Sequence, residues 1–132
     1  MGNKNKAKGT RAESAVVKFL NSNGVEAARQ PLAGSNDIGD IRIVDHDIVL
    51  EVKTGKQTAN PNRSQLVEWF RQACAEAANW GCDGALVVVR YNRKLADADV
   101  YVPIVGQDRE HLPGIVGHMF LDEYAEALSK RR

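Results

Sequence analysis

Residues 39–53 read GDIRIVDHDIVLEVK, two short apolar runs separated by a polar turn at residues 45–47. Runs rich in β-branched residues on either side of a short turn predict a β-hairpin. Side chains alternate between the two faces of a strand, so the apolar residues of the second run point to the core while Glu51 and Lys53 share the other face. Pairing across the hairpin would bring Asp40 near them.

This cluster of side chains suits a metal-assisted reaction. Carboxylates such as those of Asp40 and Glu51 bind Mg²⁺ through oxygen and leave coordination sites for water and a phosphate. The ion can acidify a bound water and neutralise charge on a phosphodiester, and Lys53 could orient that water or offset the same charge. The alternative is a solvated hairpin face, since Glu-x-Lys alone occurs in many exposed strands. Asp37 rivals Asp40 as the second carboxylate, and we prefer Asp40 because it opens a strand.

Composition predicts one soluble globular domain. The chain has 132 residues, of which 27% are charged and 43% apolar, and its net charge of +1 gives no global preference for nucleic acid. Any attraction to phosphate must therefore come from local clusters. The N-terminus lacks the apolar segment of a signal peptide, and no apolar run reaches membrane-spanning length. We expect a cytoplasmic protein, in a prokaryotic cell or a virus-infected host, that makes no membrane contact.

The order of predicted elements favours an α/β fold. Residues 1–9 are polar and basic and are expected to form a flexible arm, which leaves residues 10–132 as the single domain. Thr10-Arg11-Ala12-Glu13 has the form of a capping box and predicts a helix over residues 11–22. Hydrophobic periodicity predicts strands at 25–30, 41–44, 48–53, 85–91 and 100–105, and helices over about 61–80 and from about 120 onward. The stretch 106–117 looks irregular.

Two short motifs resemble those of the PD-(D/E)xK nuclease superfamily. Gly39-Asp40 stands for the first half of the motif, with glycine in place of proline, and Glu51-Val52-Lys53 stands for the second. Within the superfamily the chain is most similar to archaeal-type Holliday junction resolvases, whose opening Lys-Gly and first-helix Glu match Lys8 through Glu13. That family often has a basic residue directly after the Glu, where this chain has Ser14. The resemblance covers about residues 8–91.

The resemblance implies a restriction-endonuclease-like α/β/α sandwich with a central mixed sheet. It implies a homodimeric, Mg²⁺-dependent endonuclease, with Mn²⁺ as a substitute, that binds branched DNA and resolves four-way junctions by paired nicks. Hydrolysis would proceed by in-line attack of water, with Glu13, Asp40, Glu51 and Lys53 as catalytic residues. The three carboxylates among them would hold the metal. For Glu13 the alternative is a purely structural helix cap.

Further residues are expected to contact DNA. The resemblance implies that Arg29 grips a phosphate and that Ser35, in a Gly-Ser loop, reaches the substrate; otherwise Arg29 is a solvated arginine at a sheet edge. Basic residues in polar segments can follow a phosphate backbone without reading its sequence. The residues expected to do so are Lys8, Arg11, Lys56 and Arg63.

Three other functions remain open from the sequence. A different nuclease of the same superfamily, such as a restriction-like, nicking or exonuclease enzyme, would share every catalytic residue, since only substrate geometry separates them. A second possibility is a non-catalytic DNA-binding module on the same fold, which Mg²⁺-dependent cleavage would exclude. A third is a small structural or protein-interaction domain in which Glu13 only caps a helix and Lys53 is merely exposed.

Overall fold

The computed structural model describes residues 3–29, 41–102 and 117–130, with side chains described from residue 11 onward. Three helices are present in these ranges: α1 (Asn3–Ser22), α2 (Arg63–Ala78) and α3 (Leu121–Ser129). The strands are β1 (Ala27–Arg29), β2 (Ile41–Ile43), β3 (Ile48–Lys53), β4 (Asp83–Val88), β5 (Asp99–Val102) and β6 (Gly117–Phe120). None of these helices combines the length and apolar character needed to cross a bilayer.

The six strands form one mixed sheet in the order β1-β2-β3-β4-β5-β6. Strands β3 and β4 pair in parallel, and every other neighbouring pair is antiparallel. The parallel pair is joined through α2, as a parallel connection requires a crossover. Within the predicted hairpin, Ile41 pairs with Leu50 and Ile43 with Ile48. The predicted α/β fold with a mixed sheet is confirmed.

Helices cover both faces of the sheet. Helices α1 and α3 pack on the face that carries Leu50, Val52 and Val87. Helix α2 packs on the opposite face, against Leu86 and Val88. Because β3 and β4 contribute alternate side chains to two cores, both strands are apolar on both faces, which is typical of central strands. Glu51 interrupts this pattern on the face that α2 covers.

Helix α2 lies directly on strand β4 at Gly84. A Cβ atom added to Gly84 would lie 2.7 Å from the carbonyl oxygen of Ala73 and 2.8 Å from the Cα of Cys74. Only glycine permits this close approach of helix backbone to strand backbone. Gly84 pairs with Val49, two residues before Glu51, so the contact holds α2 close above that part of β3.

The first helix begins earlier than its sequence predicts. It starts at Asn3 rather than at residue 11, so residues 3–9, expected to form a flexible arm, are helical. The predicted capping box therefore lies inside the helix, and Thr10 does not cap its start. The sequence did not indicate this earlier start because residues 3–9 are mostly polar, and a helix without an apolar face shows no hydrophobic period.

The last strand is absent from the sequence prediction. Residues 117–120 form β6, which pairs with β5 at the edge of the sheet, whereas Gly117 was expected in irregular chain and Phe120 on a helix. Phe120 instead precedes α3, and its side chain is exposed. Four residues beginning with glycine show too short a pattern to predict a strand, which forms here because β5 offers an edge to pair with. Residues 103–116, including Pro103, lie outside the described residues.

Candidate active site

Glu51 is a buried carboxylate near the end of β3. Its residue is only 9% exposed, beneath α2. Its Oε1 lies 3.5 Å from Nζ of Lys53, while its Oε2 is buried and, within the described ranges, receives no hydrogen bond. Burial raises the pKa of Glu51 to about 8, helped by a hydrogen bond with Glu76 and by that residue's charge, and opposed by Lys53. A solvated hairpin face is therefore excluded for Glu51.

Glu76 is the residue of this site that the sequence analysis missed. It was assigned no role in the site, yet its carboxyl lies within hydrogen-bonding reach of Glu51. Two carboxyls can share a hydrogen bond only when one of them carries a proton. A signal was present: Glu76 lies directly before Ala77 and three residues after Ala73, both buried. It therefore flanks the apolar stripe of α2 rather than opposing it.

A divalent cation fits the chemistry of this site. The buried oxygen atoms of Glu51 are hard ligands of the kind that such a cation binds once the carboxyl is ionised. Ligand binding would require the ionised carboxylate, so a cation would displace the proton that burial favours. Among the described residues no group of three His, Cys, Asp or Glu is arranged to hold a metal. Asp40 and its rival Asp37 lie outside the described residues.

Glu13 and Arg29 form an ion pair on the opposite face of the sheet. Nε of Arg29 donates a hydrogen bond to Oε2 of Glu13 at 3.0 Å, with the side chains 41% and 18% exposed. Arg29, Ile41 and Leu50 form one row across three strands. The pair is thus one residue along the strands from Glu51, at the same end of the sheet. Arg29 is not a free solvated arginine, and the role of Glu13 as a metal ligand stays a prediction.

Three of the five remaining candidate DNA contacts have described side chains, and all three are exposed. Arg11 lies on α1 and is exposed. Lys56 lies in the short 3-10 helix that follows β3, and Arg63 is the first residue of α2, after its cap Asn62; both are exposed. Lys8 belongs to α1, but its side chain is outside the described part, and Ser35 is outside it altogether. Among the described side chains, the ionisable neighbours of Glu51 are Lys53 and Glu76, and not Arg11, Lys56 or Arg63.

A second polar cluster, which the sequence analysis did not anticipate, lies on the α2 face. The buried carboxylate of Asp99 accepts a hydrogen bond from Nε of Arg90 and lies 2.6 Å from Nε2 of His118. The hydrogen bond with Asp99 raises the pKa of Arg90, and burial raises the pKa of the neighbouring Tyr101. The His118 ring lies 5.2 Å from that of Tyr101 and 5.4 Å, edge to face, from that of Phe120.

The chain is similar in structure to Hjc, a Holliday junction resolvase from the archaeal hyperthermophile Archaeoglobus fulgidus. The TM-score is 0.53, and the match covers 89% of this chain and 99% of the other. The two sequences are 19% identical, so the likeness shows a shared fold. No protein-family model matches this sequence, and no curated protein matches it.

Proposed function

We propose that this protein is a metal-dependent DNA endonuclease of the junction-resolving kind. The observation that carries the proposal is the buried carboxylate of Glu51, with one oxygen unpaired and Lys53 beside the other. Ionising a carboxyl at a buried position is costly, and the raised pKa of Glu51 reflects that cost. That cost points to a functional role, and the shared fold with Hjc suggests which one.

In this proposal each residue has a separate task. Glu51 and Asp40 hold the ion. Asp40 directly precedes Ile41, and Ile41 pairs with Leu50, the neighbour of Glu51. Lys53, whose amine lies 3.5 Å from Glu51, orients the attacking water and offsets charge on the phosphate. Glu76 shares the proton that Glu51 must lose before binding a cation. When bound, Mg²⁺ or Mn²⁺ supplies positive charge that stabilises the developing phosphate charge and acidifies water.

The opposite face would grip the strand that is cut. Arg29 is held by Glu13 yet is 41% exposed, so its remaining N–H groups are available to a phosphate. The proposal also includes a homodimer, because a chain with one site needs a second copy to nick two strands of a four-way junction symmetrically.

The test is cleavage of a labelled four-way junction and of a linear duplex with the same sequence, each with Mg²⁺ and with chelator. We expect paired symmetric nicks on the junction, only when Mg²⁺ is present. Equal cutting of both substrates would retain the nuclease and refute junction selectivity. Tight binding without any cutting would refute the catalytic proposal in favour of a DNA-binding module.

Breaking the Glu13–Arg29 pair should separate its structural role from its functional one. The pair is partly exposed, so Arg29→Gln should lower the free energy of unfolding by less than about 1 kcal/mol. Cleavage should fall by about tenfold or more, since a phosphate contact is lost. Urea denaturation and junction cleavage measure the two effects, and Lys130→Gln, which breaks an exposed ion pair with Glu126 at the end of α3, is the control. A variant with full cleavage activity would remove Arg29 from the substrate site.

A further inference from the structure

The Asp99 cluster lies on the same sheet face as Glu51 and Lys53. Lys53 pairs with Val88, Val88 with Asp99, and Asp99 with Phe120, in one row across four strands. Directly paired residues share a face, because the pleats of neighbouring strands are in step. Lys53 and Asp99 are two strand spacings apart, or roughly 10 Å at about 4.8 Å per spacing. Phe120 lies one strand spacing further along the row, on the edge strand β6.

Asp99 holds two partly exposed cationic or polar groups in fixed orientations. It engages Nε of Arg90 and Nε2 of His118, and Tyr101 is a further hydrogen-bonding partner of Arg90. A guanidinium has five N–H donors and an imidazole has a second nitrogen, so each keeps polar atoms for a further partner. Both side chains are partly exposed, whereas Asp99 is buried.

Aromatic and basic side chains surround this cluster. Phe120 is 43% exposed, and its ring contacts the His118 ring in an edge-to-face arrangement. Arg93 and Lys94 follow Arg90 in an exposed turn, in which the Arg93 amide bonds the Arg90 carbonyl. Two acids flank Phe120 on the α3 side, Asp122 and Glu123, and Glu123 accepts a hydrogen bond from the Phe120 backbone amide. Exposed aromatic rings beside basic groups are the chemistry with which proteins bind unpaired nucleic-acid strands.

We propose that Arg90, His118 and Phe120 form a second DNA subsite, which binds a phosphate and stacks an unpaired base a short distance along the strand from the cut. The inference rests on the proposed function and specifies its substrate: a strand that leaves the duplex beside the cleavage site. A base within a continuous duplex is already stacked and has no face free for Phe120. The subsite therefore favours branched over linear DNA.

The experiment measures equilibrium binding in chelator, so that no cleavage occurs. The probes are a labelled duplex with a splayed single-stranded end and a continuous duplex of the same length. Phe120→Ala should weaken binding to the splayed probe by at least about fivefold, the effect of losing one base–aromatic stack. Binding to the continuous duplex should stay within about twofold. Phe120→Trp should restore affinity, and quenching of its fluorescence by the splayed probe, beyond that of the wild type, should report stacking.

Arg90→Gln tests the phosphate contact in the same assay. It should weaken binding to the splayed probe and reduce the slope of log affinity against log salt by about one. Lys130→Gln removes one charge from α3, on the other face of the sheet, and is the control for charge. Trp80→Ala is the control for aromatic exposure, since Trp80 is 37% exposed and follows α2, at the other end of β4.

The outcomes separate the subsite from the proposed function. If the wild type cuts junctions while Phe120→Ala binds the splayed probe as tightly as Trp80→Ala does, the subsite is refuted and the nuclease remains. If the wild type neither binds nor cuts DNA, both proposals fail. Arg90→Gln leaves Asp99 with fewer partners and is interpreted only when thermal unfolding matches the wild type; the Phe120 variants decide the question without it.

Discussion

Glu51→Gln is expected to reduce cleavage of a four-way junction by about a thousandfold or more. The amide keeps the volume of the side chain but cannot supply the negative charge that a hard cation requires. Loss of a residue that only orients a metal ligand typically costs 10- to 100-fold, and loss of a ligand itself should cost more. In this variant the amine of Lys53, which now lies 3.5 Å from a carboxylate oxygen of Glu51, would face an uncharged amide.

Single-turnover cleavage at saturating Mg²⁺ measures this effect, with Glu68→Gln as the matched control. Glu68 is an exposed acid on α2, so the same chemical change there should leave the rate within about twofold of the wild type. Binding of the junction in chelator should persist in Glu51→Gln, which separates loss of chemistry from loss of substrate. A Glu51→Gln protein that cuts at even a tenth of the wild-type rate would remove this residue from the catalytic site.

Metal-free protein should lose stability as the pH rises from about 4.5 to about 8. The pKa of Glu51 is about 8 in the folded chain against an ordinary value of 4.5, so the folded state binds the proton more tightly than the unfolded state. The stabilisation is fully present below the unfolded pKa and is lost as the pH rises through the folded one. This one group should lower the free energy of unfolding by up to about 1.4 kcal/mol per pH unit in that window.

Urea denaturation in chelator at pH 5, 6.5 and 8 checks the slope. Glu51→Gln cannot titrate, so the gap in stability between this variant and the wild type should widen in favour of the variant at each step of pH. Glu76→Gln removes the neighbouring charge but leaves Glu51 buried. The dependence of stability on pH should therefore become weaker in this variant without disappearing, because burial is the largest cause of the pKa shift. Equal slopes in the wild type and Glu51→Gln would mean that Glu51 is ionised in the metal-free fold.

Local patterns predicted the central elements well. The hairpin of β2 and β3 follows from two β-branched runs around a polar turn, and Asp47 adopts the left-handed conformation there, with φ of 51°. Strand β4 follows from an unbroken apolar run, since a strand between two helical layers has no polar face. Helix α2 follows from its apolar period, and in the structure Asn62 caps its start, with its side chain accepting a hydrogen bond from the Gln65 amide.

The same local reasoning identified Glu51 of the buried acidic pair but not Glu76. Glu51 and Lys53 were identified because they interrupt an apolar strand at the spacing of one face. The burial of Glu51 was not predicted, because it depends on α2 lying close to β4 at Gly84. Whether an acid on a strand is solvated or buried is decided by what packs above it, and this information is far away in the chain.

By itself, the sequence determined the hairpin, the central strands, the α/β class and the pair Glu51 and Lys53, since each depends on residues that are neighbours along the chain. Only the tertiary structure decided that Glu76 meets Glu51, that Arg29 meets Glu13, and that Asp99 joins Arg90 to His118. These contacts link residues up to 25 positions apart through sheet register and helix packing. A polar side chain carries no periodic signal of its own, so its partner becomes known only when the chain is folded.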